Sequence, residues 1–126
     1  FIRSVLRRAL SDMLLGKTVD IRIDRPLGSH HPKHTDMIYP VNYGYVPHIF
    51  SADGEEVDVY LLGVSEPVEK YKGRVIAVIH RLDDVEDKWI AAPTGVTFTP
   101  DEIEKAVNFQ EQYFQHEIEI YKADDV

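Results

Sequence analysis

Clustered carboxylates are the side chains of this sequence best suited to chemistry. Asp53 and Asp58 flank a glycine turn in the segment Asp53-Gly-Glu55-Glu-Val-Asp58. Asp58 lies between two valines of an apolar run, where an ionised carboxylate is costly unless it is paired or binds a metal ion. Because the turn lets the chain fold back, we expect it to bring Asp53 and Asp58 together.

A second acidic segment, Asp83-Asp84-Val-Glu86-Asp87-Lys88, lies further along the chain. If the fold brings both segments to one cavity, the clustered carboxylates repel one another unless divalent cations bind between them. Ligand sets made only of oxygen favour Mg²⁺ or Mn²⁺ over zinc or copper. The alternative, for each segment taken alone, is an ordinary solvated loop.

Tyr39, Tyr43 and Tyr45 alternate just before the first acidic segment. Packing within a strand explains this spacing. A buried tyrosine hydroxyl nevertheless needs a polar partner, so a contact with phosphate stays open.

Three of the six histidines, His30, His31 and His34, share one proline-containing loop. Metal binding, contact with an anionic substrate and plain exposure to solvent all stay open for them. No carboxylate partner can be placed for His48 or His80, and the sequence assigns these two residues no role.

The composition indicates one globular domain over residues 1–126, with 44% hydrophobic and 29% charged residues. No apolar run is long enough for a membrane span. The absence of cysteine excludes disulfides and thiolate chemistry, and it fits a reducing, cytoplasmic location. A net charge of −8 disfavours nucleic acid as a partner and suggests that metal ions reverse the local charge if the substrate is anionic.

Short strands must position the acidic segments. We predict strands over residues 19–24, 39–46, 57–64, 74–79 and 88–92. We also predict an amphipathic helix over residues 1–15 and a C-terminal helix over residues 99–120. The second helix begins with a capping box at Thr99, followed by Pro100. The pattern predicts a mainly β fold with flanking helices, built as a small barrel covered by a helix.

The stretch from Ile38 to Gly63 resembles the core motif of the soluble family I inorganic pyrophosphatases. That motif has a Tyr-Pro-x-Asn-Tyr-Gly-Tyr segment, then acids spaced Asp-x-Asp-x-x-Asp, then an apolar strand. A weaker resemblance runs from Arg74 to Pro93 and through the helix that carries Tyr113. The resemblance implies an OB-like five-stranded barrel and Mg²⁺-dependent hydrolysis of pyrophosphate, with Mn²⁺ as an alternative cation. It also implies a homo-oligomer, commonly a hexamer in bacteria.

The resemblance also implies roles for individual residues. The implied metal ligands are Asp53, Asp58, Asp83 and Glu86, with Asp84 or Asp87 as alternatives in the second segment. Glu55 takes the position of the acid that activates the attacking water. The implied phosphate contacts are Lys88, Tyr39, Tyr43 and Tyr113.

The sequence departs from the family pattern at several positions. Glu55 stands where the family has aspartate, and Phe114 stands where it has lysine. The early hairpin of the family has no clear counterpart, since the loop that follows Arg25 is short and different. Arg25 and Lys33 are the candidates for supplying positive charge there, without a position-by-position match.

Inorganic pyrophosphate hydrolysis is the favoured function, and the altered phosphate contacts keep a second hypothesis open. That alternative is a catalytically degenerate relative that binds metal–phosphate or nucleotide ligands in a regulatory role. A plain oligonucleotide-binding module is disfavoured, because the chain is acidic and has no basic aromatic stripe. We expect a small phosphate-containing substrate, no nucleic acid and no membrane as partners.

Overall fold

The computed structural model describes residues 2–82 and 86–123, with the side chains of the first helix described from Val5 onward. The described residues form two helices and six strands. In chain order they are α1 (Ile2–Leu14), β1 (Thr18–Arg25), β2 (Asn42–Phe50), β3 (Glu56–Leu61), β4 (Lys70–Arg81), β5 (Asp87–Ala92), α2 (Pro100–Glu111) and β6 (His116–Ile120).

Five of the strands close into a barrel in the order β1-β2-β3-β5-β4, and a pairing between β1 and β4 completes the ring. All of these pairs are antiparallel except β3 with β5. The prediction of a mainly β fold with an OB-like five-stranded barrel and flanking helices is confirmed. Closure gives each of these strands a neighbour on both sides, and the part of β4 that extends beyond β1 presents an edge to β6.

Two residues of the Tyr-Pro-Val-Asn-Tyr-Gly-Tyr segment have structural roles that depend on neighbouring backbone atoms. A Cβ atom on Gly44 would lie 1.8 Å from the carbonyl oxygen of Arg22, so the β1–β2 contact accepts only glycine there. Asn42 is fully buried, and its Oδ1 accepts hydrogen bonds from the amides of Leu27 and Val68 at 2.9 and 3.3 Å. These two residues therefore hold the strand and its neighbouring loops in place.

Two apolar clusters stabilise the fold on either side of the strands. The first gathers side chains from all five barrel strands, including Val57, Val59 and Trp89, and fills the barrel interior. The second packs the outer face of the barrel against Ile103 and Val107 of α2. Alternation along β3 places Val57 and Val59 inside, so Asp58 and Tyr60 point to the α2 side.

The predicted helix over residues 99–120 is wrong in its second half. Its start is confirmed, because Thr99 caps α2 and exchanges reciprocal hydrogen bonds with Glu102 in a capping box. The helix ends at Glu111, and His116–Ile120 forms β6 against the end of β4. The segment His-Glu-Ile-Glu-Ile alternates with a period of two, and the exposed edge of β4 supplies hydrogen bonds that a longer helix would forgo.

The first helix is held against the barrel by ion pairs. Arg7 pairs with the buried Asp87, and Arg8 donates to Glu119 at 2.8 Å. His80 bridges the same two carboxylates, at 3.2 Å from Asp87 and 2.8 Å from Glu119. The helix predicted over residues 1–15 therefore forms as α1. Neither described helix is long and apolar enough to cross a membrane.

Candidate active site

A cleft of about 910 Å³ opens between the barrel, the loop that follows β1 and the C-terminal end of α2. We call it the α2 cleft. Five of the residues predicted from the sequence line it, namely Arg25, Tyr43, Asp58, Lys88 and Tyr113. The fold therefore brings these five residues, which are far apart in the sequence, to one cavity.

Asp58 and Lys88 lie side by side because β3 and β5 run parallel and pair these two positions. The Nζ of Lys88 donates to Oδ2 of Asp58 at 2.5 Å and lies 3.1 Å from Oε2 of Glu86. Burial alone would lower the pKa of Lys88, but the charge and hydrogen bond of Asp58, together with the charge of Glu86, raise it above its ordinary value. The lysine is therefore a permanently charged cation in the wall of the cleft.

The turn before β3 holds Asp53 in a fixed conformation. Its Oδ1 accepts hydrogen bonds from the hydroxyl of Ser51 at 2.5 Å and from the amide of Glu55 at 2.9 Å. Partial burial alone would raise the pKa of Asp53, but these hydrogen bonds and a contact with Glu86 lower it. The contact brings an acid of the first acidic segment to one of the second, which is the condition that the sequence analysis set for a shared site.

Glu55 lies at the tip of the same turn and is exposed. Its amide supports Asp53, whereas its carboxylate makes no hydrogen bond or ion pair with the described residues and does not line the cleft. Glu55, the residue implied to activate water, thus lies next to Asp53 on a turn that projects into solvent.

The acids of this region fit a hard divalent cation by their chemistry, because every candidate donor is a carboxylate oxygen. Asp58 and Glu86 are each about one-third exposed, so a cation can approach both of them. Within residues 2–82 and 86–123, no three acidic or histidine side chains are gathered closely enough to hold a metal ion by themselves. Asp58 and Glu86 are thus described carboxylates that could each donate to such a cation.

The second acidic segment is only partly described. The predicted ligand Asp83 and its alternative Asp84 lie outside the described residues. Asp87, the other alternative, is buried against α1, where it pairs with Arg7 and His80. Of this segment, Glu86 is the described acid that reaches Lys88.

Asp24 is a cleft residue that the sequence analysis missed. Alternation along β1 places Asp24 on the outer face, and the register shift between Ile23 and Arg25 lets Arg25 line the cleft beside it. Partial burial raises the pKa of Asp24, Arg25 opposes the rise, and the charge of Asp58 adds to it. Asp24 is therefore a second carboxylate close to Asp58. Its place in the regular alternation of β1 gave no signal of this.

The tyrosines of the motif occupy two different positions. Tyr43 lines the cleft, and burial raises its pKa, so the phenol keeps its proton. Tyr39 is fully buried behind the cleft, where its hydroxyl accepts a hydrogen bond from Nη1 of Arg25 at 2.7 Å. Its hydroxyl thus positions a cation of the cleft.

A buried chain of hydrogen bonds connects this tyrosine to the other end of the cleft. Tyr39 donates to Oε1 of Gln110 at 3.1 Å, and Nε2 of Gln110 donates to the hydroxyl of Tyr60 at 2.7 Å. Tyr60 in turn donates to Glu111 at 2.6 Å, and Glu111 receives two hydrogen bonds from Arg81, at 3.0 and 2.7 Å. The end of α2 therefore orients both Arg25 and Arg81.

Arg81 is the second cleft residue that sequence reasoning missed. Its guanidinium lies 3.7 Å from the ring centroid of Phe114, the residue that stands where the family pattern has lysine. The guanidinium of Arg81 therefore makes a cation–π contact with Phe114, and its Nη1 lies 3.7 Å from Oε2 of Glu86. An arginine at the end of an apolar strand was the available signal, but only the fold shows which way it points.

The remaining predicted residues differ in their distance from the cleft. Tyr113 is 69% exposed at the rim, so it can contact a ligand that fills the cleft. Lys33 is exposed in the loop after β1 and does not line the cleft. The structure therefore brings Arg25, but not Lys33, to the other cations.

Comparisons with known proteins agree on one family. A family model for inorganic pyrophosphatases matches residues 16–123. The inorganic pyrophosphatase of Caulobacter vibrioides is 29% identical over 123 residues, which cover 86% of this chain and 70% of the relative. That of Rickettsia conorii is 34% identical over 96 residues, covering 70% of this chain but only 56% of the relative.

Solved structures show the same fold. The inorganic pyrophosphatase from Ehrlichia chaffeensis superposes with a TM-score of 0.66 at 20% identity, covering 85% of this chain and 88% of that one. An inorganic pyrophosphatase from Coxiella burnetii gives a TM-score of 0.61 at 18% identity over the same shares. With the motif, the barrel and the family match over most of its length, the chain belongs to the inorganic pyrophosphatase family.

Proposed function

We propose that this chain hydrolyses inorganic pyrophosphate to two phosphates and that magnesium is its cofactor. The observation that carries the proposal is the set of groups around Lys88. A protonated lysine, the carboxylates of Asp58 and Glu86, and the neutral phenol of Tyr43 surround one another beside the cleft. Fixed positive charge beside cation-binding carboxylates suits a substrate that carries several negative charges.

The proposed ligands of the cation are Asp53, Asp58, Glu86 and Asp83. Membership of the family implies dependence on a divalent cation, and oxygen donors suit magnesium. When bound, such a cation offsets the charge of the phosphates and makes a nearby water more acidic. Asp24, which lines the cleft near Asp58, extends the carboxylate set on the side of β1.

We assign the water-activating role to Glu55. Its carboxylate has no partner among the described residues, and its backbone amide is fixed to Asp53. The side chain can therefore turn towards a water near the acidic residues without breaking an interaction. A carboxylate placed in this way accepts a proton or orients the water for attack on phosphorus.

Positive groups of the cleft are proposed to bind the phosphates. Lys88 and Arg25 carry permanent charge, and Tyr43 supplies a neutral hydroxyl beside Lys88. Tyr113 closes the rim, and Tyr39 holds Arg25 in place. Lys33, which is exposed on the neighbouring loop, is proposed to add long-range attraction for the anion.

A homo-oligomer, hexameric by resemblance, and a cytoplasmic location complete the proposal. Size-exclusion chromatography with light scattering tests the first of these. Neither is needed for the chemistry of the cleft as described, since the cleft residues named here all come from one chain.

The proposal is tested by measuring phosphate released by the purified protein from pyrophosphate, with Mg²⁺ and with a chelator. Release of two phosphates per pyrophosphate, only with Mg²⁺, is expected. Tight binding of pyrophosphate in calorimetry without any release would instead support the regulatory alternative. A parallel assay with a nucleoside triphosphate determines whether the activity is selective for the inorganic substrate.

A further inference from the structure

The loop between β1 and β2 carries His31 into the α2 cleft, and neither the motif nor the resemblance assigns this residue a role. The loop is ordered as an irregular hairpin. The amide of His31 donates to the carbonyl of Met37 at 2.9 Å, and that of Tyr39 donates to the carbonyl of Ser29 at 2.9 Å. The position of the His31 ring is therefore set by the backbone.

The hydrogen bonds of His31 define which ring nitrogen carries the proton. Its Nδ1 accepts hydrogen bonds from the backbone amides of Lys33 and His34 at 3.0 and 3.1 Å. Because an amide can only donate, Nδ1 must be the acceptor, and the proton of the neutral ring is on Nε2. The Nε2 atom makes no hydrogen bond with the described residues, which leaves one N–H donor available to a ligand.

The neighbours of His31 keep the ring neutral and fixed. Burial and then the charge of Arg25, followed by His34 and Lys33, lower the pKa of His31. The ring lies nearly parallel to Tyr39, with an interplanar angle of 7° and 6.2 Å between centroids. Tyr39 also holds Arg25, so the imidazole and the guanidinium share one support.

We propose that His31 is a substrate-binding residue whose Nε2–H donates a hydrogen bond to a phosphate oxygen in the α2 cleft, beside Arg25. This inference rests on the proposed function and names a further binding residue for it. The short loop lacks a position-by-position match to the charged hairpin of the family, and His31 with Arg25 supplies donors from the same side. A neutral donor adds affinity for an oxygen anion without needing a proton from solution.

Two substitutions separate the donor from the structure of the loop. In His31→Asn, the side-chain oxygen can still accept the two backbone amides, as in an Asx turn, but the Nε2–H donor is lost. In His31→Gln, an amide nitrogen can reach the former Nε2 position. We expect Asn to raise the KM for pyrophosphate by roughly 10- to 100-fold with kcat nearly unchanged, and Gln to restore part of the affinity.

The matched control is His30→Asn in the same loop. His30 does not line the cleft, and its Nδ1–H donates to the carbonyl of Thr35 at 2.6 Å, a donor that asparagine can replace. Wild-type KM is expected for this variant. An equal rise in KM for His30→Asn and His31→Asn would mean that the loop is merely disturbed, and an unchanged KM in His31→Asn would also overturn the proposal.

A second measurement does not depend on turnover. In ¹⁵N-histidine spectra of the wild-type protein, we expect His31 to show the Nε2–H tautomer and its Nε2 signal to shift when inorganic phosphate and Mg²⁺ are added. An Nδ1–H tautomer, or no shift at saturating phosphate, contradicts the proposal. A wild-type protein that releases no phosphate but shows this shift would refute the proposed hydrolysis and keep His31 as an anion-binding residue.

Discussion

Single residues carry the chemistry that we propose, and Glu55 is one that departs from the family pattern described in the sequence analysis. Its side chain is one methylene longer than the aspartate of the family pattern, and a misplacement of ~1 Å can cost ~10²-fold in rate. Since Glu55 projects freely from its turn, we infer that the site has adapted to the longer side chain.

We therefore expect Glu55→Asp to lower kcat about tenfold and Glu55→Gln to lower it by about 10²-fold or more. Magnesium affinity should be largely kept in both variants, because neither changes Asp53 or Asp58. Steady-state phosphate release at several Mg²⁺ concentrations measures both quantities. If Glu55→Gln has the wild-type kcat in an active enzyme, another group activates the water, and Asp53 is the next candidate.

The second acidic segment gives a prediction that separates ligands from structural acids. Glu86 lies 3.1 Å from Lys88, whereas Asp87 is buried in ion pairs with Arg7 and His80. Glu86→Ala should raise the Mg²⁺ concentration needed for half-maximal activity by about tenfold or more. Asp87→Ala should leave that concentration unchanged and lower the melting temperature, since it leaves Arg7 and His80 without their shared carboxylate.

A Mg²⁺ titration of activity and a thermal melting curve, recorded for both variants, measure these two effects. The same comparison with Asp83→Ala and Asp84→Ala tests which of these two acids is the remaining ligand. Equal and small effects in all four variants would mean that the segment is only a solvated loop.

Much of the site could be predicted from the sequence because the motif is local. Asp53, Glu55 and Asp58 lie within six positions of one another, so a turn followed by a strand is enough to place them. Asp24 and Arg81 could not be predicted in the same way. Asp24 lies on a strand face that meets the cleft only once the barrel and α2 have assembled, and Arg81 is oriented by a buried carboxylate on a helix thirty residues later in the chain.

At the scale of elements, α2 is joined to the barrel by a buried ion pair as well as by apolar packing. Arg81 and Glu111 are 4% and 0% exposed, and burial alone would raise the pKa of Glu111, but Arg81 and Tyr60 lower it. Glu111→Gln should reduce the free energy of unfolding by roughly 3–5 kcal/mol, because it removes the buried charge that the guanidinium of Arg81 contacts at 2.7 Å.

Urea unfolding of this variant measures the effect. Glu117→Gln, at an exposed position of β6, is the matched control and should stay within about 0.5 kcal/mol of the wild type. A loss for Glu111→Gln as small as that of the control would show that the pair does not hold α2 to the barrel.

The contact between α1, β4 and β6 should depend on pH through His80. Its hydrogen bond to Asp87, and then that to Glu119, raise the pKa of His80 against the effect of burial, while Arg7 and Arg8 face the same two carboxylates. A raised pKa in the folded state means that the stabilisation is complete below the ordinary value of 6.5. It is lost as the pH rises through the folded value.

The free energy of unfolding of the wild type should therefore exceed that of His80→Gln by more at pH 6 than at pH 8.5. We expect the difference between the two pH values to be about 1 kcal/mol, since the pair is partly exposed. Urea unfolding at both pH values measures it. A difference that is independent of pH, or larger at pH 8.5, would show that His80 is not charged in the folded protein.

The elements also show where sequence patterns fail. The capping box fixes the start of α2 by local hydrogen bonds, and that boundary was predicted correctly. The end of α2 depends on a partner, because Ile118 and Ile120 can continue an apolar helical face or alternate in a strand. The strand forms because it can pair with the edge of β4, which is distant in the sequence.

For the whole molecule, apolar packing holds most of the fold, whereas charged groups carry the proposed chemistry. Two apolar clusters hold the barrel and α2 together, and neither of them includes the acids of the cleft. The net charge of −8 makes the protein a poor binder of anions by its average field, so local groups must create an attractive site. Removal of cations should therefore stop turnover while the protein stays folded.

The most direct test of the central claim compares phosphate release from pyrophosphate by the wild type and by Asp58→Asn across a Mg²⁺ titration. Asparagine keeps the shape of Asp58 and can still accept a hydrogen bond from Lys88, but it removes the charge that a cation needs. We predict Mg²⁺-dependent release by the wild type and a loss of at least about a hundredfold in the variant, with an unchanged circular dichroism spectrum. Wild-type turnover in a folded Asp58→Asn protein would contradict the account.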